Sequence, residues 1–119
     1  MEIKRFDNGP GCSRMVIHNG VAYFTGHSAR PEFKTMKEQT AAVLARYDEL
    51  FAEFSLKKEN IIMLNGYLAD MNMMNDFNEV FRAWMSADNS TCAPAGVCVQ
   101  AKPSGDGNLL ELQFIVAVD

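Results

Sequence analysis

Hydrophobic and polar positions repeat in twos over the first quarter of the chain, in threes and fours over the second, and in twos again near the end. The first clear run is Met15-Val16-Ile17-His18, followed by Val21-Ala22-Tyr23-Phe24-Thr25. Between them stands Asn19-Gly20, a pair that tolerates the positive φ angles of a tight hairpin turn. The pattern predicts strands near 13–18 and 21–26, preceded by a short strand near 2–6. After Pro31 the period changes. Met36, Thr40, Val43, Leu44, Tyr47, Leu50, Phe51 and Phe54 form one apolar stripe, which predicts an amphipathic helix of about five turns. Lys34, Lys37, Glu38, Arg46 and Glu49 take its other side.

Asn60 to Ala69 returns to a strand pattern that is apolar on both faces, as suits a central strand. Asp70 to Asn72 offer helix-capping side chains. Met74, Phe77, Phe81, Trp84 and Met85 then define one side of a second helix, with Asp88-Asn89-Ser90 as its predicted end. Ala95 to Lys102 and Leu109 to Val118 read as the two strands of a hairpin that turns through Pro103 to Asn108. That turn is rich in glycine, but strands flank it on both sides. No helix N-terminus follows to aim amides at a phosphate.

The predicted order is β-β-β-α-β-α-β-β, an α+β fold with one mixed sheet and two helices on one face, forming a single domain over residues 1–119. The strands nevertheless carry apolar residues in both alternating sets. Val97, Val99 and Ala101 oppose Cys98, and Leu110, Leu112, Phe114 and Val116 oppose Ile115 and Ala117. An apolar sheet face without helices is an interaction surface. Burial is worth about 25 cal/mol per Å2, so self-association is the natural way to cover it, although the pattern does not fix the number of copies.

Composition narrows the function classes. Hydrophobic residues make up 48% and charged residues 22% of the 119 positions, a globular balance. Eleven basic and 15 acidic residues leave a net charge of −4. A nucleic-acid binder needs a basic stripe, and none is visible. No apolar run has the length of a membrane span, and the N-terminus has no signal-like apolar core. Cys12, Cys92 and Cys98 are odd in number and form no CxxC pair, which favours free thiols in a reducing compartment, the cytoplasm. His18 and His27 stand in no metal-ligand spacing. Met71, Met73 and Met74, with no histidine beside them, read as packing at a helix start. No cofactor or metal is expected.

Several segments, taken in order, resemble the Rid (YjgF-type, RidA-like) family. They are Gly9-Pro10, Tyr23-Phe24-Thr25-Gly26-His27, Gln39-Thr40, Tyr67-Leu68-Ala69-Asp70-Met71, Asn78 with Phe81 and Trp84, Ala93-Pro94-Ala95, Cys98-Val99, and Leu110-Glu111-Leu112. Val16-Ile17-His18-Asn19 and Val99-Gln100-Ala101 are most similar to a short-chain YjgF-type branch. The resemblance spans nearly the whole chain. It implies a chorismate-mutase-like fold, a homotrimer with ligand clefts between subunits, and hydrolysis of reactive enamines and imines to keto acids and ammonia.

The same resemblance exposes departures. Family catalysts carry an arginine after Pro-Ala or Pro-Val that grips the substrate carboxylate, and here that position is Gly96. The family's acidic residue on the last strand, which positions water, falls at Gln113. Glu111 lies two residues earlier on the same strand face. The aromatic residue near the first Gly-Pro is replaced by Gly11-Cys12. Thr25, Gly26, Asn78 and Cys98 are kept.

Each candidate also has a plain reading. Cys98 is a cleft residue by resemblance and a small packing group by chemistry. Asn78 sits mid-helix against propensity, as a ligand or interface donor or as a solvated amide. His27 follows a strand end where sites concentrate, or it faces solvent. Glu111, as an isolated charge, is either exposed at an edge or paired in a cleft, where it suits water activation. Gln113 orients water but does not take its proton. Arg14 and Arg30 are the nearest cations in sequence to substitute for the missing guanidinium, or are ordinary surface charges. Two functional readings stay open. One is an imine or enamine deaminase with a changed substrate range, Glu111 and Gln113 being its catalytic candidates. The other is a non-catalytic trimer that binds a metabolite such as an imino or keto acid. A ribonuclease reading fits the acidic balance least.

Overall fold

The computed structural model describes residues 1–30, 32–86 and 92–119. Its elements run β1 (Lys4–Phe6), β2 (Met15–His18), β3 (Val21–Phe24), α1 (Met36–Glu53), β4 (Ile61–Leu68), α2 (Met74–Met85), β5 (Ala95–Gln100) and β6 (Leu110–Ala117). This is the element order that the sequence predicts, with each strand shorter than expected by one to several residues. The strands form one sheet in the order β1-β2-β3-β6-β4-β5. β4 and β5 run parallel, and the remaining neighbours are antiparallel.

Local chemistry sets the element ends. Asn19 and Gly20 both take positive φ, 50° and 75°, so the β2–β3 turn is built as the Asn-Gly pair predicts. Thr35 caps α1. Its Oγ1 accepts from the Glu38 amide at 3.1 Å and donates to the Glu38 carboxylate at 2.9 Å, a Thr-x-x-Glu start that the apolar stripe alone did not reveal. Asp70 accepts from the Asn72 amide at 2.9 Å and opens a 3-10 turn, Met71–Met73, that leads into α2. The predicted α2 end at Asp88-Asn89-Ser90 lies outside the described residues.

One expectation is corrected. β5 and β6 are not a hairpin, because β4 lies between them and pairs with both. β4 carries apolar groups on both faces and takes the interior place. The segment from Ala101 to Leu109 therefore crosses the end of β4, a step of about two strand spacings, or ~10 Å.

Both helices cover the same sheet face. Tyr47 of α1 and Trp84 of α2 pack on Phe114 of β6, with ring centroids 4.6 and 5.7 Å away. Leu110, Leu112, Phe114 and Val116 point into this core and are fully buried. The Tyr47 hydroxyl donates to the Leu112 carbonyl at 2.8 Å. Trp84 is fastened from outside. Its indole N–H donates to Asp48 at 3.1 Å, and Lys58 lies 4.4 Å from the ring centroid while bonding the Trp84 carbonyl.

The other face stays open. β-strand alternation places Tyr23, Met63, Val97, Val99 and Ile115 on it. Val97 is 62% exposed, Val99 45% and Tyr23 44%, so the apolar area expected from the sequence is not masked by the chain itself.

Gln39 ties the crossing segment to α1. Its side-chain amide donates to the Phe33 and Gly107 carbonyls, and its oxygen accepts from the Leu109 amide, each at 2.8 Å. Gln39 is buried, so truncation strands three backbone groups. Gln39→Ala is expected to lose about 2–3 kcal/mol in urea unfolding; an unchanged midpoint would mean that water replaces all three bonds.

Candidate functional site

A cleft of about 530 Å3 lies between α2 and the edge strand β5. Leu64, Phe77 and Phe81 supply apolar wall, and Phe77 and Phe81 stack with their rings 8° from parallel. Asn78, Gly96 and Cys98 of the sequence-derived candidates line it together. Arg82, four residues after Asn78 and on the same side of α2, lines it too. Sequence reasoning missed Arg82. The signal was its i, i+4 spacing from Asn78, which only gains meaning once α2 is known to border a cleft.

Gly96 is required by its neighbour across the parallel pair. Its φ is +153°, and a Cβ built there would overlap the Leu64 carbonyl oxygen. No side chain, arginine included, fits without moving the backbone. Cys98 behaves as packing: a Cβ at Gly66 would come within 2.7 Å of its sulfur, so the two positions interlock. Burial pushes the Cys98 thiol up from its ordinary value, which keeps it protonated and weakly nucleophilic.

The other candidates gather elsewhere. Glu111 and Gln113 lie on the open face of β6. Gln113 is engaged on both sides, accepting from Asn65 at 3.2 Å and donating to the Phe24 carbonyl at 3.0 Å. Glu111 is half-buried, and among the described residues no hydrogen-bonding or ionic partner holds its carboxylate. A Cβ at Gly26 would collide with that carboxylate, so the glycine makes the room in which it lies. A smaller cleft of about 320 Å3, with Tyr67, Lys102 and Ser104, also meets Glu111.

Thr25 and His27 continue β3. Thr25 donates its amide to the Arg14 carbonyl, and its hydroxyl is 3.5 Å from Cys12 Sγ. His27 Nδ1 is 2.9 Å from the Thr25 carbonyl and 3.2 Å from the Tyr47 hydroxyl. A carbonyl only accepts, so Nδ1 carries the proton and Nε2 keeps the lone pair. Burial lowers the His27 pKa, and Arg14 and Arg46 act in the same direction. Arg14 pairs with Asp7 at 3.5 Å, and Arg30 is exposed beside Glu32 at 3.9 Å. Neither arginine lines the α2–β5 cleft.

The two groups are apart within the chain. His27 bridges to Leu112, Leu112 pairs with Gly66, and Gly66 pairs with Cys98. That is three strand spacings, or ~14 Å.

Comparisons with known proteins bear on the fold. A family model described as Endoribonuclease L-PSP matches residues 4–118. The RutC family protein YoaB of Escherichia coli K12 is 31% identical over 118 residues, covering 99% of this chain and 100% of that one. A RutC family protein of Haemophilus ducreyi is 29% identical over 117 residues, covering 98% and 97%. A crystal structure of a YjgF protein family member from Neisseria meningitidis superposes with a TM-score of 0.90 at 29% identity, covering 100% and 97%. The fold is accordingly the chorismate-mutase-like one of these structures.

His27 gives the site a pH signature. The folded protein resists protonating it, whereas the unfolded chain binds the proton near the ordinary value of 6.5. Its contribution to stability is therefore full above about pH 6.5 and falls as the pH drops towards its lowered folded value. In thermal melts between pH 5 and 8, wild type minus His27→Gln should show this slope; parallel profiles would reject it.

Proposed function

Since the chain belongs to the YjgF/RutC family, which the Endoribonuclease L-PSP model describes, we propose that it is a cytoplasmic homotrimer that hydrolyses small reactive imines or enamines in clefts between subunits. The observation that carries this reading is Glu111, a carboxylate without a partner among the described residues, lying in the space that Gly26 leaves. The open apolar face supports association of copies. In such an assembly the Glu111 half of one copy meets the Asn78, Gly96 and Cys98 half of the next, joining two groups that lie apart within one copy.

The chemistry then needs few groups. Glu111 takes a proton from water as the oxygen bonds to the imine carbon. Glu111 returns that proton to the nitrogen, giving an amino alcohol. The hydroxyl proton then passes through Glu111 to the same nitrogen as the C–N bond breaks, so ammonia leaves and a carbonyl product remains. An enamine enters the same path once it has tautomerised to its imine. Gln113, held by Asn65 and Phe24, and Asn78 orient water and substrate. His27 steadies the Thr25–Gly26 backbone through its Nδ1 contact. Cys98 shapes the pocket. Imines hydrolyse readily in water, so positioning suffices for much of the acceleration.

A metabolite-binding trimer without turnover is the alternative, favoured by Gly96, whose backbone excludes the side chain that grips carboxylates in family catalysts. Binding to RNA is not favoured, because 15 acidic residues outnumber 11 basic ones.

Two measurements test the reading. Imines generated in place by an amino-acid oxidase should release ammonia faster with the protein than in buffer. Glu111→Gln should slow that release by about 100-fold or more, within the range for a positioned base. Release at the buffer rate with acidic, neutral and bulky side chains alike would select the binding alternative. Sedimentation at micromolar concentration should give three times the 13.3 kDa subunit mass; a monomer would reject the shared clefts.

A further inference from the structure

The smaller cleft beside Glu111 shares no lining residue with the α2–β5 cleft. Tyr67 stands opposite Glu111 in the β4–β6 pair and shares its strand face. Lys102 and Ser104, from the segment that crosses the end of β4, line the same space of about 320 Å3. That segment is pinned at several points. The Ala101 amide donates to the Leu68 carbonyl at 3.0 Å, Pro103 is buried, and the Asn108 side-chain amide donates to the Ser104 carbonyl. Gln39 holds Gly107 and Leu109 a few residues on. The polar tips in the cleft are nonetheless unclaimed. Among the described residues, the Tyr67 hydroxyl, the Lys102 ammonium, the Ser104 hydroxyl and the Glu111 carboxylate have no hydrogen-bond or ion-pair partner. Lys102 and Glu111 thus carry opposite charges into one cleft without pairing, which leaves room for a third group between them.

We propose that this cleft is a specificity subsite, in which Lys102 and Ser104 hold an anionic group at the far end of a substrate whose reacting carbon lies at Glu111. The imines turned over fastest are then those with an acidic side chain. This rests on the proposed deaminase reading and specifies its substrate. Glu111 and an acidic tail repel each other in so small a space, so such a substrate needs a cation there to offset the repulsion. Lys102 is the one cation among the described lining residues. Lysine is a compact charge on a flexible stem, which follows tails of different length, and Ser104 adds a hydroxyl donor. The Tyr67 ring gives the methylenes of the tail an apolar side. Lys102 is exposed, so salt screens its attraction.

Two imines that differ only at the tail test this. They are made in place by oxidases from D-glutamate and from D-norvaline, which carries a methyl where glutamate carries the side-chain carboxylate. The readout is the ratio of kcat/KM for the acidic imine to that for the neutral one, in wild type, Lys102→Gln and Lys102→Arg. The wild-type ratio should exceed one and fall as salt is added. Lys102→Gln should lower it about tenfold or more, and Lys102→Arg should keep most of it. A wild-type ratio at or below one, or the same ratio in wild type and Lys102→Gln, would overturn the proposal. Matching melting temperatures confirm that folding is not the cause. Turnover of the neutral imine alone would keep the deaminase reading and remove the subsite. Turnover of neither would remove the deaminase reading, and calorimetry with 2-oxopentanedioate and 2-oxopentanoate then decides the subsite. A preference for the diacid that Lys102→Gln abolishes keeps it; equal binding of the two, or binding of neither, removes it.

Discussion

The strict two-residue repeat of β6 is the constraint on which the rest depends. Leu110, Leu112, Phe114 and Val116 are sealed under both helices, and Glu111, Gln113, Ile115 and Ala117 face the other way. A slip of one residue would exchange the two sets. The core holds the register through Phe114, which meets Tyr47, Phe51, Phe81 and Trp84, and through the Tyr47 bond to the Leu112 carbonyl. The position of Glu111 is thus fixed by packing on the opposite side of its own strand.

Much of this was legible in the sequence because it is local. The three- and four-residue spacing from Met36 to Phe54 gave α1, and Asn19-Gly20 gave the first turn. Strand neighbours were not legible. Pro103 to Asn108 has the composition of a hairpin turn, yet composition says nothing about which strand lies beside which. β4 enters between β5 and β6 and pairs with both, and its apolar groups on both faces suit that interior place. The two candidates on β6, a carboxylate and an amide, share one strand face, and the sequence does not show what holds each of them. They separate only when partners from β3 and β4 are seen, since Phe24 and Asn65 occupy Gln113 and leave Glu111 free.

The candidate cations followed the same rule. Arg14 and Arg30 were chosen for nearness along the chain to loops, and each stands beside a carboxylate at the surface. Arg82 looked like any solvated residue on the polar side of a helix. Its distinction comes from what surrounds it, an apolar cleft on one side and a Glu79 already claimed by Lys37 on the other. Gly96 belongs to the same logic. Its missing side chain reads as a lost function in sequence, and in space as the condition for β5 to lie against Leu64.

The chain has a single tryptophan, and Trp84 stands two residues from Arg82, stacked on Phe114 and tethered to Asp48 and Lys58. The indole is therefore a native fluorophore seated on the helix that borders the cleft, with an ammonium over its ring. Its emission reports how firmly α2 is docked on the sheet, so loosening of that helix becomes visible in the unlabelled protein through the light this one side chain gives off.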